Sequence, residues 1–222
     1  MLPTFRDGAK DALTVAHEAH DAGLDGVFAF DHLWPMGSPT RPSLAPFPVL
    51  AAVATSTPTL LLGALVARVG MFPTKKLLEL YATLSLLAPG RVIAALGTGD
   101  KLSQDEQVAY DLGYPSSDAR RAALRDAATQ LAPTTPVWVG AGSTTTNQLA
   151  RELGATLNCW GATSARMREL SKDGPVSWAG PLGEHPEATL DELADAGATW
   201  AVASEPSRIV LLKEWRRAHA TQ

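Results

Sequence analysis

The sequence of 222 residues has little cysteine and little net charge, and each shortage excludes a class of protein. Cys159 is the single cysteine, so an internal disulfide is excluded. The 19 basic and 23 acidic residues give a net charge of -4, which provides no basic surface for nucleic acid or anionic membranes. No apolar run reaches the ~18 residues of a membrane span, and the N-terminus lacks a signal-peptide stretch. We therefore expect a cytoplasmic protein whose partner is a small-molecule substrate, with neither nucleic-acid nor membrane partners.

Short apolar runs alternate regularly with amphipathic segments along the whole chain. A stub at Met1–Pro3 and seven internal runs are predicted strands, namely 26–31, 60–66, 91–97, 137–140, 156–160, 176–179 and 200–204. Predicted helices cover 11–22, 47–55, 74–87, 118–131, 143–153, 164–172, 186–196 and 208–218. Strict alternation predicts a parallel sheet, and eight units favour a closed (β/α)8 TIM barrel. No Pro/Gly-rich linker divides residues 1–222, so we predict one domain. The first strand is short, so either the chain starts late or the barrel is incomplete there.

Polar residues collect where the predicted strands end, which is the face on which such barrels place their chemistry. Asp31 and His32 close the apolar run that starts at Gly26. A histidine there suits general acid–base catalysis, but it equally suits a structural histidine bonded to Asp31. The turn Gly140–Ser143 opens a helix, so it is either a phosphate site or a tight turn with a serine cap. His17 and His20 have no evident third ligand, so we expect no metal site.

Four stretches together resemble the bacterial luciferase-like monooxygenase superfamily, whose TIM barrels use FMN or the deazaflavin coenzyme F-420. They are AGLDGVFAFDHLWP, the block from TLLLGALV to ALGTGD, PVWVGAGS and ELGATLNCWG, and they occur in the family's order. The resemblance implies that His32 is the active-site histidine, with Asp31 as its neighbour beside the cofactor ring. It implies a non-prolyl cis peptide at Leu65-Val66, against the ring. It also implies that Asp100 forms an acid/base pair with the histidine. The remaining cofactor-binding residues implied are Gly97, Thr98, Gly99, Ser103, Gly140, Ala141, Gly142, Ser143, Cys159 and Trp160.

The chain departs from the family in the segment between Gly97 and Pro136, where it carries a shortened insertion. This segment normally covers the site and excludes the water that would destroy an oxygenated flavin. We therefore expect an oxidoreductase that binds coenzyme F-420 and transfers hydride to or from a small organic substrate. The alternatives are an FMN-dependent oxidoreductase or monooxygenase and a non-catalytic flavin-binding protein. The family also implies a homodimer.

Overall fold

The computed structural model describes residues 1–6, 8–35 and 38–219, with the backbone alone at Leu102, and the described part is an α/β barrel. Its strands are β1 (Gly26–Ala29), β2 (Leu61–Ala64), β3 (Ala67–Arg68), β4 (Ala94–Gly97), β5 (Val137–Gly140), β6 (Thr156–Trp160), β7 (Val176–Gly180) and β8 (Ala198–Ala203). The helices are α1 (Lys10–Asp21), α2 (Pro46–Ser56), α3 (Thr74–Leu87), α4 (Gln104–Ala109), α5 (Ser117–Leu131), α6 (Thr144–Glu152), α7 (Ser164–Leu170), α8 (Pro186–Asp195) and α9 (Ile209–His219). Short 3-10 turns cover Lys101–Ser103, Ser171–Asp173 and Pro206–Arg208.

The strands run parallel and follow one another around the barrel in chain order. β1 pairs with β2, and β3 to β8 form a continuous sheet in the order β3-β4-β5-β6-β7-β8. A bridge between Leu62 and Val92 joins the two sheets. Between β1 and β8, the nitrogen of Met1 donates to Ala203 O at 2.6 Å and Leu2 N donates to Phe28 O at 2.8 Å. The predicted TIM-barrel class is confirmed, and Met1 and Leu2 supply these two links between β1 and β8.

Period-two alternation along the strands divides the buried side chains into two clusters. The inner cluster fills the barrel, with Phe28 stacked on Trp138 at 5.3 Å and Trp200 edge-on to Trp138 at 5.6 Å between ring centroids. The outer and larger cluster lies between the strands and the helices and includes Tyr81 and Leu124. None of the helices in the described part is both long and apolar enough to cross a membrane.

Two local features differ from the prediction. The strand expected over 60–66 is split from its continuation: β2 ends at Ala64 and β3 begins at Ala67, on either side of the cis peptide bond between Leu65 and Val66. The segment between Gly97 and Pro136, predicted to hold one helix, also holds the short α4. The split and the extra helix both lie on the carboxyl side of the barrel strands, where the polar residues were predicted to collect.

Candidate functional site

Asp31, just beyond the end of β1, forms a buried ion pair with Arg68, the last residue of β3. The amide nitrogen of Arg68 donates to Asp31 Oδ2 at 2.7 Å, and Arg68 Nε lies 3.8 Å from the same oxygen. Both residues are buried. Because a buried cation without a counter-ion is costly, the position of Arg68 is tied to that of the carboxylates around it.

Glu106, on α4, joins this pair to His32. Its Oε1 lies 2.7 Å from His32 Nδ1, and its Oε2 accepts from Leu33 N and from Arg68 Nη2, each at 2.8 Å. The side chain of Glu106 is buried, whereas that of His32 is 27% exposed. The network therefore runs from Asp31 through Arg68 and Glu106 to an imidazole that reaches the surface of the mouth.

The two carboxylates of the network differ in their pKa shifts. Burial raises the pKa of Asp31 above its ordinary value, and the Arg68 guanidinium only partly offsets this effect. Burial also pushes the pKa of Glu106 upward. The hydrogen bonds from His32 and Leu33 and the charge of Arg68 outweigh it, so the pKa of Glu106 is lowered overall. Glu106 is thus a carboxylate at neutral pH.

An ionised Glu106 determines the tautomer of the neutral His32 ring. A carboxylate only accepts hydrogen bonds, so the proton of the neutral ring resides on Nδ1. The other ring nitrogen, Nε2, makes no hydrogen bond to any residue that the structure describes. His32 consequently presents the lone pair of Nε2, which can accept a proton from a bound molecule.

The cis peptide implied by the resemblance is present at Leu65-Val66. The side chain of Val66 lies against the ends of the next two barrel strands. A Cβ atom added to Gly97 would collide with Val66 Cγ2, and one added to Gly140 would stand 3.4 Å from both Val66 methyl groups. Glycine at position 97 therefore leaves room for the Val66 side chain at the ends of β4 and β5, which brings Val66, Gly97 and Gly140 of the predicted site together.

The predicted pairing of Asp100 with His32 is not what the structure shows. Asp100 is exposed, and its carboxylate accepts from Ser103 N at 2.9 Å in a capping box at the start of the 3-10 turn. Ser103 Oγ in turn bonds to the backbone of Asp100. The carboxylate bound to His32 is Glu106 instead, six residues further along. A catalytic role for Asp100 stays a prediction, as does cofactor binding by Thr98 and Gly99 in the same loop.

The glycine turn after β5 has fewer free donors than expected. Ala141 N donates to Asn158 O at 2.7 Å, and Gly142 N donates to Asn147 Oδ1 at 3.0 Å. Ser143 is the N-cap of α6, and its Oγ accepts from Thr146 N. Thr144 and Thr145, the first residues of α6, are exposed. Within the described part, no residue accepts a hydrogen bond from their backbone N–H groups. The backbone N–H groups that are free to bind an anion therefore belong to residues 143–145 rather than to residues 140–142.

Cys159 and Trp160 follow each other on β6 and point to opposite faces. Cys159 belongs to the outer cluster, and burial raises the pKa of its thiol to about 11. The Cys159 side chain therefore faces the helices, because successive side chains along β6 alternate between the two faces of the strand. The prediction had placed it near the cofactor, at the mouth.

Trp160 is 52% exposed and stands edge-on to Phe30 at 5.6 Å between ring centroids. Phe30 stacks on Phe5 at 5.2 Å, so an aromatic surface lies beside His32.

Sequence reasoning missed Arg68 and Glu106. Arg68 follows a predicted strand, and an arginine inside an apolar block such as ALVARVG signals a buried ion pair. Glu106 has no comparable signal, because QDEQ on a short amphipathic helix is typical of a solvated surface.

The class defined by this geometry is a TIM barrel with a polar site at the carboxyl ends of its strands. A model of the luciferase-like monooxygenase family matches residues 2–129, more than half of the chain, and the chain belongs to that family. The F420-dependent glucose-6-phosphate dehydrogenase of Beutenbergia cavernae is 33% identical over 136 residues, covering 59% of this chain and 38% of that protein. The F420-dependent hydroxymycolic acid dehydrogenase of Mycobacterium tuberculosis is 36% identical over 97 residues, covering 43% and 26%.

The chain therefore spans less than half the length of these curated relatives. A solved F420-dependent secondary alcohol dehydrogenase in complex with an F420-acetone adduct superposes with a TM-score of 0.80 at 14% identity. The superposition covers 97% of this chain and 96% of that one. At this identity the likeness establishes the fold alone.

Proposed function

We propose that the chain is an oxidoreductase that binds coenzyme F-420 and transfers hydride to or from a small organic substrate. The observation that carries the proposal is the chain of contacts from Arg68 through Glu106 to His32, which places an acceptor nitrogen at the mouth. The sequence similarity to F420-dependent dehydrogenases supports the choice of cofactor.

The residues present fit a deazaflavin with a phosphate-bearing tail. The exposed N–H groups and hydroxyls at the start of α6 form a donor set for an anion, which the helix dipole also favours. Val66 and the glycines at 97 and 140 provide a close apolar surface for a flat ring. Ser143, Thr144 and Thr145 would thus hold the phosphate, and the Leu65-Val66 segment would contact the ring.

In the direction of substrate oxidation, His32 would take up the proton of the substrate hydroxyl group. When bound, coenzyme F-420 supplies a carbon that accepts or donates a hydride. Nε2 of His32 accepts the hydroxyl proton of the substrate, and the resulting imidazolium is stabilised by the Glu106 carboxylate at 2.7 Å from Nδ1. Reduction of a carbonyl runs through the same groups, with Nε2 returning the proton. Phe5, Phe30 and Trp160 would contact the substrate beside this nitrogen.

Titration of the purified chain with coenzyme F-420 and, separately, with FMN tests the cofactor. We expect F-420 to bind with saturation, followed by the deazaflavin visible band, and to bind more tightly than FMN. Tighter binding of FMN would contradict the cofactor assignment.

Single-turnover bleaching of bound F-420 by a panel of secondary alcohols and by glucose 6-phosphate then tests turnover. His32→Ala should keep F-420 affinity and slow the bleaching by about 100-fold or more. His17→Ala, on the outer helix α1, is the matched control and should leave the rate unchanged. F-420 binding without turnover by any substrate would indicate a carrier instead.

The proposed active form is a cytoplasmic homodimer. Leu86 and Leu87 at the end of α3 are 82% and 41% exposed, which supports a contact on this side of the barrel. Light scattering coupled to gel filtration measures the mass, and a monomer at micromolar concentration would contradict the dimer.

A further inference from the structure

A row of three aromatic side chains lies at the mouth of the barrel beside His32. Phe5 comes from the segment before α1, Phe30 directly follows β1, and Trp160 is the last residue of β6. The ring centroids are 5.2 Å apart between Phe5 and Phe30 and 5.6 Å apart between Phe30 and Trp160. Aromatic rings attract each other at separations of about 4.5–7 Å, so three segments that are distant in the sequence form one apolar surface.

This aromatic row is open to a bound molecule. Trp160 is 52% exposed, and Phe5 and Phe30 are half-buried. Burial of apolar surface is favourable in proportion to its area, so a flat apolar group that covers the indole gains free energy. The row therefore favours a ligand with an aromatic ring over one that carries only small or polar groups.

The position of His32 determines how far the reacting group lies from that aromatic ring. The ring centroid of His32 is 6.5 Å from that of Phe5. Its Nε2 is the nitrogen that can accept a proton, because Nδ1 donates to Glu106. A hydroxyl group that donates to Nε2 lies about 2.6–3.2 Å from it. A ligand that makes both contacts therefore carries its aromatic ring on the carbon that bears the hydroxyl group, or one bond away from it.

The charged cluster behind His32 disfavours a negative charge on the ligand. Arg68 lies between two carboxyl groups, with Nη2 at 2.8 Å from Glu106 Oε2 and Nε at 3.8 Å from Asp31 Oδ2. All three side chains are buried. Because the one cation is already paired with two carboxyl groups, the cluster has no positive charge left for a substrate anion.

The aromatic row involves different residues from those assigned to the cofactor. Val66 lies against the ends of β4 and β5, and the donors for a phosphate lie at the start of α6. Phe30 and Trp160 extend from β1 and β6 instead. The assignment of the cofactor therefore leaves the row for the substrate.

On the basis of the function proposed above, we infer the class of the substrate. It is an uncharged alcohol with an aromatic ring on its carbinol carbon, or one bond away from it, or the corresponding carbonyl compound. In oxidation, the hydroxyl proton goes to Nε2 of His32 and the hydride of the carbinol carbon goes to coenzyme F-420, which leaves the carbonyl compound. Phe5, Phe30 and Trp160 bind the aromatic ring and so determine specificity.

Two matched pairs of alcohols test the ring and the charge in steady-state oxidation with F-420. α-Phenylethanol has the aromatic ring, and sec-butanol lacks it. We expect kcat/KM to be about 30-fold or more higher for α-phenylethanol, since this ratio corresponds to the burial of one aromatic side chain. Mandelate and mandelamide have the same shape, but only mandelate is charged. We expect kcat/KM to be about tenfold higher for mandelamide. Equal values within either pair would overturn the inference.

Substitutions at position 160 test the aromatic row itself. Trp160→Leu should lower kcat/KM for α-phenylethanol about tenfold and change that for sec-butanol by less than about twofold. Trp160→Phe keeps an aromatic ring and should stay within about threefold of wild type. Tyr110→Leu removes an exposed aromatic ring outside the row and is the matched control, with no change expected. The Kd for F-420 should be the same in wild type and in each variant. Weaker F-420 binding by Trp160→Leu would assign this side chain to the cofactor and refute the inference.

Ligand-detected NMR of α-phenylethanol on the F-420-loaded chain separates a failure of this inference from a failure of the proposed function. Binding that is weaker in Trp160→Leu than in wild type supports the aromatic site, and the absence of any turnover would then contradict the oxidoreductase alone. Equal binding by the two chains would rule out the aromatic site. Turnover of sec-butanol as fast as that of α-phenylethanol would contradict the substrate class and leave the oxidoreductase in place.

Discussion

Replacing Glu106 by glutamine is expected to invert the tautomer of His32 while the barrel stays folded. The carboxylate of Glu106 accepts from His32, Leu33 and Arg68. Glutamine has one acceptor oxygen, and Leu33 N and Arg68 Nη2 are both donors that need it. Its amide nitrogen must then face His32 Nδ1, which becomes the acceptor and moves the ring proton to Nε2.

The size of the effect follows from this count of donors. In Glu106→Gln, the bonds from Leu33 and Arg68 survive but go to a neutral oxygen. Arg68 therefore loses one charged partner, the Glu106 carboxylate, and keeps the other, because Asp31 Oδ2 lies 3.8 Å from its Nε. Removing one partner of a buried ion pair costs about 3–5 kcal/mol. Because the retained hydrogen bonds reduce this cost, we expect the free energy of unfolding to fall by about 2–3 kcal/mol. Holding the histidine of a catalytic pair in the wrong tautomer lowers kcat by up to about 10⁴-fold. We expect a fall of at least about 100-fold in hydride transfer.

The assay for the tautomer is long-range proton–nitrogen NMR of the histidine rings at neutral pH, which distinguishes a proton on Nδ1 from one on Nε2. Urea unfolding measures the stability, and single-turnover bleaching of F-420 measures the rate. Asp105→Asn is the matched control, since it removes the same charge from an exposed position on the same helix. An unchanged tautomer, or a rate within about threefold of wild type in folded Glu106→Gln, would refute the reasoning.

Three further outcomes follow from the packing and the pKa shifts. Because folding lowers the pKa of Glu106, the ionised carboxylate stabilises the folded chain at pH values above its ordinary pKa of 4.5. This stabilisation is lost as the pH falls through the lowered pKa of the folded state. The free energies of unfolding of wild type and Glu106→Gln in urea should therefore converge in acid. Gly63→Ala, whose new Cβ would collide with Ile93 O, should cost about 3 kcal/mol in urea unfolding. Gly113→Ala, with open space, should change stability by less than about 1 kcal/mol. Cys159, buried and with its pKa raised to about 11, should react with Ellman's reagent only after unfolding, and prompt reaction in the native chain would contradict its placement.

The alternation of strands and helices could be predicted from the sequence because it depends on local periodicity. The bounds of α3 were predicted as Thr74–Leu87 and are observed there, since the apolar stripe and the Pro89-Gly90 stop are both local. The ends of the strands could be predicted for the same reason, and with them the face of the barrel that carries His32 and the glycine turn.

The composition of the site depended on contacts that periodicity does not encode. His32 and Glu106 are 74 residues apart and Asp31 and Arg68 are 37 apart, so their pairing depends on the path of the loops between them. Asp100 was the nearer candidate in the sequence, but its carboxylate satisfies the local backbone, as short acidic side chains at turns commonly do.

The sequence by itself determined a barrel of eight units with a histidine at the mouth, because hydrophobic spacing decides which residues are buried and where strands end. Only the tertiary structure decided which carboxylate orients that histidine and which backbone donors stay free at the glycine turn. The physical reason is that a buried charge or hydrogen-bonding group takes the partner that the fold brings within reach, whatever its distance along the chain.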